Sequence, residues 1–292
     1  MSGSGGDGGT TPSTATIAYL LREGSTQLAA VADNPRLEAR LLLAHALGCT
    51  QNDLIRDPQQ AADAAAYRSL LDRRARHEPI AHIVGRREFW SLGFEVSAAT
   101  LIPRPDTETL VEDALDAFSG RPPPARILDL GTGTGCLLLA LLHEYPAAFG
   151  VGVDLEPGAA ALAHRNAQQL GLTGRACFVA GDWTNSLSGR FGLIVSNPPY
   201  IADGDIDSLM PEVRRYEPRR ALAAGRDGGD AYRAIIPRLR DSLLPDGVAV
   251  LELGAGQADM VSSIARQSGF GVSLRLDLAG IPRAIRLLAA SR

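Results

Sequence analysis

Apolar positions recur at helical spacing from about Ile17 to His77. Leu37, Arg40, Leu41 and Ala44 fall on one such face, and Ala66, Leu70 and Arg73 on another. Breaks at Asn34-Pro35, Gly48 and Asp57-Pro58 cut this stretch into a small bundle of short helices. Residues 82–96 change character: Phe89, Trp90, Phe94 and Val96 surround Gly93, which predicts a β-hairpin turning at that glycine. After Pro105, the pair Asp106-Thr107 predicts the cap of a helix over 110–118.

From residue 126 onward short apolar runs alternate with amphipathic ones. Strands are expected at 126–130, 150–155, 176–180, 193–196, 248–253, 272–276 and 284–288, and helices at 136–144, 158–170, 230–244 and 257–268. Repeated strand–helix units imply a parallel sheet covered on both faces. The last two strands are joined too closely for a crossover, so they run antiparallel to each other. The fold class is therefore α/β, a doubly wound Rossmann-like sheet with an antiparallel last strand. A tail (1–14), a helical domain (15–80) and a hairpin linker (81–100) precede the sheet domain (101–292).

Composition narrows the chemistry. Hydrophobic residues make up 45% of the chain, enough for a sizeable core. All 29 basic residues are Arg, which removes Schiff-base chemistry and the lysine of a phosphate-binding P-loop. A net charge of −4 opposes a protein that grips nucleic acid by charge alone. Cys49, Cys136 and Cys177 stand too far apart for a CxxC pair, and the five His form no HExxH, so no metal site is expected. The sparse cysteines fit a reducing cytoplasm. No apolar run is long enough to span a membrane. The opening Gly/Ser/Thr-rich residues lack the apolar core of a signal peptide and read as a disordered tail.

The sequence Asp129-Leu130-Gly131-Thr132-Gly133-Thr134-Gly135-Cys136 follows an expected strand and opens an expected helix. Glycines let backbone approach a ligand closely, and a helix N-terminus favours a negative group. A dinucleotide fingerprint would place its third glycine at position 136, which is Cys. The GxGxG spacing instead resembles the first motif of adenosylmethionine-dependent methyltransferases, in which the turn Gly131 to Gly135 would underlie the cofactor. Asp154 ends the next strand, where an acid can accept from both hydroxyls of a ribose; Glu156 competes for that role. Asp182 and Trp183 follow the third strand, placed for an adenine's amine and ring face.

Asn197-Pro198-Pro199-Tyr200 follows the fourth strand. An amide or aromatic amino nitrogen is a poor nucleophile because its lone pair is delocalised. Acceptors for both of its N–H groups, here the Asn197 side-chain oxygen and the Pro198 carbonyl, would orient it in line with an electrophilic methyl. The two prolines stiffen the carbonyl, and Tyr200 offers a flat face to a planar group. Such a tetrapeptide serves amino-methylation of nucleic-acid bases and of glutamine alike.

Further landmarks choose between these. Arg87-Glu88-Phe89-Trp90, the run Leu101-Ile102-Pro103-Arg104-Pro105-Asp106-Thr107-Glu108, Tyr216-Glu217-Pro218-Arg219, Leu251-Glu252-Leu253-Gly254 with Gln257, and Asp277-Leu278-Ala279-Gly280-Ile281 are similar to segments of the bacterial release factor glutamine methyltransferases (PrmC/HemK family). The resemblance spans about residues 17–290. It implies methyl transfer from S-adenosylmethionine to the amide nitrogen of the glutamine in the Gly-Gly-Gln motif of class 1 peptide chain release factors. It also implies cofactor contacts from Gly131, Thr132, Gly133, Thr134, Gly135, Asp154, Asp182, Trp183 and Asn197. Asn197, Pro198, Pro199 and Tyr200 would hold the glutamine, with Asn197, Pro198 and Tyr200 at the reacting centre. The helical domain would help dock the release factor, without direct nucleic-acid or membrane binding. The competing reading is a nucleic-acid amino-methyltransferase; against it, residues 1–85 carry eight Arg and nine acids, no basic face. Arg104, between two prolines, would pin its segment to the sheet domain. Arg214, Arg215, Arg219 and Arg220, interleaved with Glu212 and Glu217, read as a solvated, ion-paired face.

Overall fold

The computed structural model describes residues 14–185 and 187–289. Of the expected tail, residues 1–13 lie outside the described residues, and Thr14 already belongs to a strand. The chain divides into two compact units, Met1–Val84 and Gly85–Arg292.

The first unit packs α1 (Ile17–Gln27), α2 (Pro35–Leu47), α3 (Gln51–Arg56), α4 (Ala65–Ala75) and α5 (Ile80–Val84). A short antiparallel pair, β1 (Thr14–Thr16) with β2 (Ala61–Asp63), ties the segment before α1 to the segment before α4. The breaks act as local chemistry requires. Asn34 Oδ1 accepts from Leu37 N at 3.1 Å ahead of Pro35, and Gly48 closes α2 in the left-handed region at φ +63°. Thr50 and Asp53 form a reciprocal capping box at α3. The buried face of α4 sits one residue along from the expected one: Tyr67, Leu71 and Arg74 are inside, while Ala66 is exposed. Tyr67 fills the interior and donates to the Leu20 carbonyl at 3.2 Å, and Arg74 is paired with Glu38 at 2.6 Å. A large ring and a neutralised cation thus decide a face that small residues left ambiguous. In α2, Ala44 of the expected face is buried, together with Ala39, Leu42 and Leu43, while Leu37 is exposed.

In the second unit the hairpin consists of β3 (Arg86–Phe89) and β4 (Leu92–Glu95). Residues 80–84 are helical, and the turn is Trp90-Ser91 rather than Gly93. Both turn residues have positive φ, +52° and +59°, as the preferred two-residue hairpin turn demands, although neither is glycine. Trp90 is held from outside: its backbone N–H donates to Glu108 at 2.8 Å and its indole to Glu144 at 2.7 Å. A 3-10 turn, Pro105–Thr107, leads into α6 (Glu108–Ala117); Thr107 makes no cap bond, because its hydroxyl is engaged elsewhere.

The sheet has seven strands: β5 (Arg126–Leu130), β6 (Phe149–Asp154), β7 (Ala176–Ala180), β8 (Phe191–Ser196), β9 (Leu243–Glu252), β10 (Phe270–Leu276) and β11 (Pro282–Ala289). Their order is β10-β11-β9-β8-β5-β6-β7, and β11 alone runs against the others. Helices α7 (Cys136–Glu144), α8 (Pro157–Gln169) and α12 (Ala258–Gln267) cover it. The stretch expected as one helix over 230–244 is instead α10 (Asp230–Ile235), a 3-10 turn and α11 (Leu239–Ser242), with β9 beginning at Leu243. Pro237 removes an N–H and crowds the preceding turn, which ends the α-helix there. Between β8 and α10 lie α9 (Pro211–Tyr216) and two 3-10 turns that the pattern did not announce.

Alternation along the strands feeds two cores. Ile127, Leu193, Val195, Val248 and Val250 pack beneath α6 and α7. Leu128, Leu130, Ile194, Ala249 and Leu251 pack against Ile235, Leu239 and Val261. Burying each such side chain contributes roughly 1.5–3 kcal/mol. Sequential strands leave β5 toward β7 and then return to β8 on its other side, so the order reverses at β5/β8. A crevice opens there at the carboxyl ends of the strands.

Ser91→Gly is expected to stabilise the protein by about 0.5–1 kcal/mol, the left-handed penalty less glycine's extra chain entropy. Denaturant unfolding measures this; a loss of stability would show that the Ser91 side chain holds the turn.

Candidate active site

The crevice at the strand reversal is built from loops that follow β5, β6, β7 and β8. Gly131 (φ +74°) and Gly135 (φ +78°) take the left-handed backbone that lets β5 fold sharply into α7. A Cβ at Gly135 would stand 3.0 Å from Ala163 Cβ, so glycine also admits α8. The turn is tied to the next strand: Gly131 N and Thr132 N both donate to the Val153 carbonyl, at 2.8 and 3.0 Å. Gly133 N donates to Asp154 Oδ2 at 2.9 Å. Asp154 Oδ1 accepts from Glu156 N at 2.9 Å. Glu156, the competitor for Asp154's role, caps α8 through Gly158 N and pairs with Arg220 at 3.1 Å.

Beneath the turn lies Asp129, 1% exposed, accepting from Thr132 Oγ1 at 2.6 Å. Burial pushes its carboxyl up to about 7 against that hydrogen bond, and the charge of Asp154 raises it further. Cys136, at the start of α7, has its thiol pushed up to about 12, again by burial, and is no nucleophile at neutral pH.

An open cavity of about 170 Å³ connects these groups. Gly131, Thr132, Gly133, Thr134, Asp154, Asp182, Trp183, Asn197 and Pro199 line it; Gly135, Pro198 and Tyr200 do not. Convergence is tight: a Cβ on Gly131 would lie 3.5 Å from Trp183 Cζ3 and 3.9 Å from the Asn197 carbonyl oxygen. Trp183 adopts φ +47°, and Asp182 accepts from Asn185 Nδ2 at 2.8 Å.

The tetrapeptide is held from behind. Asn197 Nδ2 donates to Thr107 Oγ1 at 3.0 Å, and Thr107 Oγ1 donates to Glu252 Oε2 at 2.6 Å. Tyr200 OH donates to Glu252 Oε1 at 3.2 Å, and Gln257 Nε2 to the Tyr200 carbonyl at 2.7 Å. Gly254 makes room for the tyrosine ring: a Cβ there would stand 2.9 Å from Tyr200 Cδ2. Glu252 is 1% exposed, and burial pushes its carboxyl up to about 7 despite the hydrogen bonds from Thr107 and Tyr200.

Two family models match this chain, a PrmC N-terminal domain over residues 19–85 and a methyltransferase small domain over residues 107–214. A release factor glutamine methyltransferase of Bradyrhizobium diazoefficiens is 46% identical over 277 residues, covering 92% of this chain and 91% of its own. Its counterpart in Rhodospirillum rubrum is 43% identical over 288 residues, covering 97% and 88%. This chain belongs to the release factor glutamine methyltransferase family. A solved methyltransferase of Pyrococcus furiosus shares the fold, with a TM-score of 0.52 at 15% identity over 75% of this chain and 99% of its own.

In this member of the family several cavity residues escaped the reading of the sequence. Residues 99–104, expected to begin as linker, form one wall. Arg104 pairs with Glu217, whose side chain is 1% exposed and whose other oxygen accepts from Ile102 N at 3.3 Å. That fastens the wall, as expected of Arg104, and takes Glu217 away from the arginine cluster. Arg219 pairs instead with Asp203 at 3.6 Å, and Arg220, with Glu156, reaches the cavity. Thr107, read as a helix cap, and Glu252, read only as a landmark, prove to be the supports of the tetrapeptide. The one local signal was an acid inside the apolar run 248–253. Among the described residues no helix is long and apolar enough to cross a membrane.

Asp129 carries a testable pH signature. Its carboxyl rises from 3.8 to about 7 on folding, so its contribution to stability is fully present below 3.8 and is lost as pH rises through 7. Asp129→Asn removes that dependence. The stability of the variant relative to wild type should therefore increase between pH 5 and pH 8, measured by denaturant unfolding; a constant difference would contradict the raised carboxyl.

Proposed function

We propose that this chain transfers a methyl group from S-adenosylmethionine to the side-chain amide nitrogen of the glutamine in the Gly-Gly-Gln motif of class 1 peptide chain release factors. The observation that carries this reading is the orientation of Asn197. Its Nδ2 is turned back onto Thr107, and among the described residues no donor reaches Oδ1. Asn197 also lines the cavity, beside the glycine turn.

The cavity suits the cofactor on its own features. Asp154 already receives one backbone N–H on each oxygen, yet a carboxylate has about four acceptor sites, so one per oxygen is left for a ribose diol. Thr100, 2% exposed on the cavity wall, has an Oγ1 with no hydrogen-bond partner among the described residues. Gly131 leaves open the space that a side chain would fill against Trp183. Gly131, Thr132, Gly133 and Thr134 would hold the methionine portion, Asp154 the ribose, and Asp182 with Trp183 the adenine; Gly135 shapes the turn. When bound, S-adenosylmethionine supplies an electrophilic methyl on a sulfonium.

The chain's own task is to bind and aim the glutamine amide. Asn197 Oδ1 and the Pro198 carbonyl accept its two N–H groups, which fixes the nitrogen and keeps electron density on it. Pro198 and Pro199 limit the backbone freedom of those acceptors. Tyr200, anchored at its hydroxyl by Glu252, gives the loop a fixed aromatic side. Positioning of this kind contributes up to ~7–11 kcal/mol in favourable intramolecular models. The helical unit serves to dock the release factor, and the reaction takes place in the cytoplasm.

Asn197→Ala is expected to lower kcat by about a hundredfold or more, the scale of losing one preorganised hydrogen-bond partner at a reacting centre. Mass spectrometry of the Gly-Gly-Gln peptide reads the product, and wild-type turnover by this variant would overturn the mechanism. Asp154→Ala should weaken cofactor binding by about ten- to a hundredfold, since it removes charge-assisted hydrogen bonds. Calorimetry showing unchanged affinity would place the ribose elsewhere.

A further inference from the structure

A carboxamide is nearly symmetric in shape but opposite in chemistry at its two ends. If Asn197 is to accept an N–H from the glutamine, Oδ1 must face the cavity; turned over, it would set one N–H against another. Packing alone does not choose between these states, because oxygen and NH₂ occupy similar volumes. The choice needs a neighbour that can only accept or only donate.

We propose that Thr107 and Glu252 are positioning residues which fix the end of the Asn197 amide that faces the cavity. This rests on the reading of Asn197 as acceptor given above. A hydroxyl has one proton, and Thr107 donates it to Glu252 Oε2 at 2.6 Å. What remains on Thr107 Oγ1 is lone pairs, so whatever meets it from the other side must donate. Asn197 meets it at 3.0 Å and therefore presents Nδ2. The direction of the whole chain, Asn197 to Thr107 to Glu252, is set by the acid at its end. An ionised carboxylate carries no proton and can only accept. Its second oxygen receives the Tyr200 hydroxyl at 3.2 Å, so one buried acid orients both ends of the tetrapeptide.

The charge of Glu252 is part of the device, because the protonated acid donates a hydrogen bond to Thr107 Oγ1, which turns the threonine proton toward Asn197 and reverses the order. The groups facing Glu252 come from several elements. Arg283 of β11 favours the ionised form; Asp106 of the 3-10 turn before α6 opposes it. Arg283 also pairs with Asp106 and Asp277, each at 3.2 Å. The Tyr200 hydroxyl donates to the carboxylate, the Tyr232 hydroxyl of α10 donates to the Glu252 backbone carbonyl at 2.8 Å, and Cys136 of α7 lies within electrostatic reach. With the carboxyl of Glu252 at about 7, kcat should climb as pH rises through that value.

Thr107→Val keeps the shape and removes the hydroxyl, whereas Thr107→Ser keeps the hydroxyl. In the full-length enzyme acting on a release factor, Thr107→Val should lower kcat by about ten- to a hundredfold. The KM for the release factor and the calorimetric Kd for S-adenosylmethionine should stay within about threefold, and Thr107→Ser should recover most of the loss. A purely structural role would instead lower the melting temperature without this split, and Ser would not restore turnover. Wild-type kcat in Thr107→Val, or equal losses in the Val and Ser variants, would overturn the proposal. If Thr107→Val melts below the assay temperature, Glu252→Gln carries the test: disappearance of the rise in kcat near pH 7 supports the proposal, and an unchanged pH profile overturns it. Failure of the wild-type enzyme to methylate the glutamine would overturn the functional reading itself, a result distinct from wild-type activity with an unaffected Thr107→Val.

Discussion

Acids at the carboxyl ends of parallel strands, two of them buried, are the constraint on which the site depends. Asp129 lies near the end of β5, Asp154 ends β6 and Glu252 ends β9. Burying Asp129 and Glu252 is costly unless their oxygens receive hydrogen bonds, and the half-buried Asp154 gathers donors as well. Asp129 takes Thr132, Asp154 takes the backbone of Gly133 and Glu156, and Glu252 takes Thr107 and Tyr200. Of the groups so held, Thr107, Thr132 and Gly133 line the cavity. The sheet supplies rigid strand ends, and the acids convert that rigidity into fixed directions for loops that would otherwise be free.

The strand reversal at β5/β8 completes the arrangement. It brings the glycine turn, the loop after β7 and the Asn197 tetrapeptide to one crevice, although these segments are separated along the chain. The wall formed by residues 99–104 is secured by the Arg104–Glu217 pair, which joins positions 113 residues apart.

Much of this was legible in the sequence. Strands β5 and β7 and helix α7 fall where the pattern put them, because local apolar runs bounded by glycine, proline or an acid leave little choice. The hairpin turn was not legible. Left-handed backbone at Trp90 and Ser91 goes against intrinsic preference and is imposed by Glu108 and Glu144, which are distant in sequence. The buried face of α4 sits one residue along from the expected one because its deciding contacts, Tyr67 to Leu20 and Arg74 to Glu38, are tertiary. The motif residues Asn197 and Asp154 could be read from their positions after strands. Thr107 and Glu252 could not be read as partners, since they lie 145 residues apart and meet only in the folded sheet. Tyr200 was read for its ring, while its hydroxyl, bonded to Glu252, links it to the same acid.

The central claim is that the aimed nitrogen belongs to a protein glutamine. It is tested most directly by incubating the enzyme with S-adenosylmethionine carrying a labelled methyl and a purified class 1 release factor, intact or with the Gly-Gly-Gln glutamine changed to Ala. The account predicts label in the intact factor and none in the altered one. Equal labelling of both, or no labelling of either alongside transfer to DNA or ribosomal RNA, would contradict it.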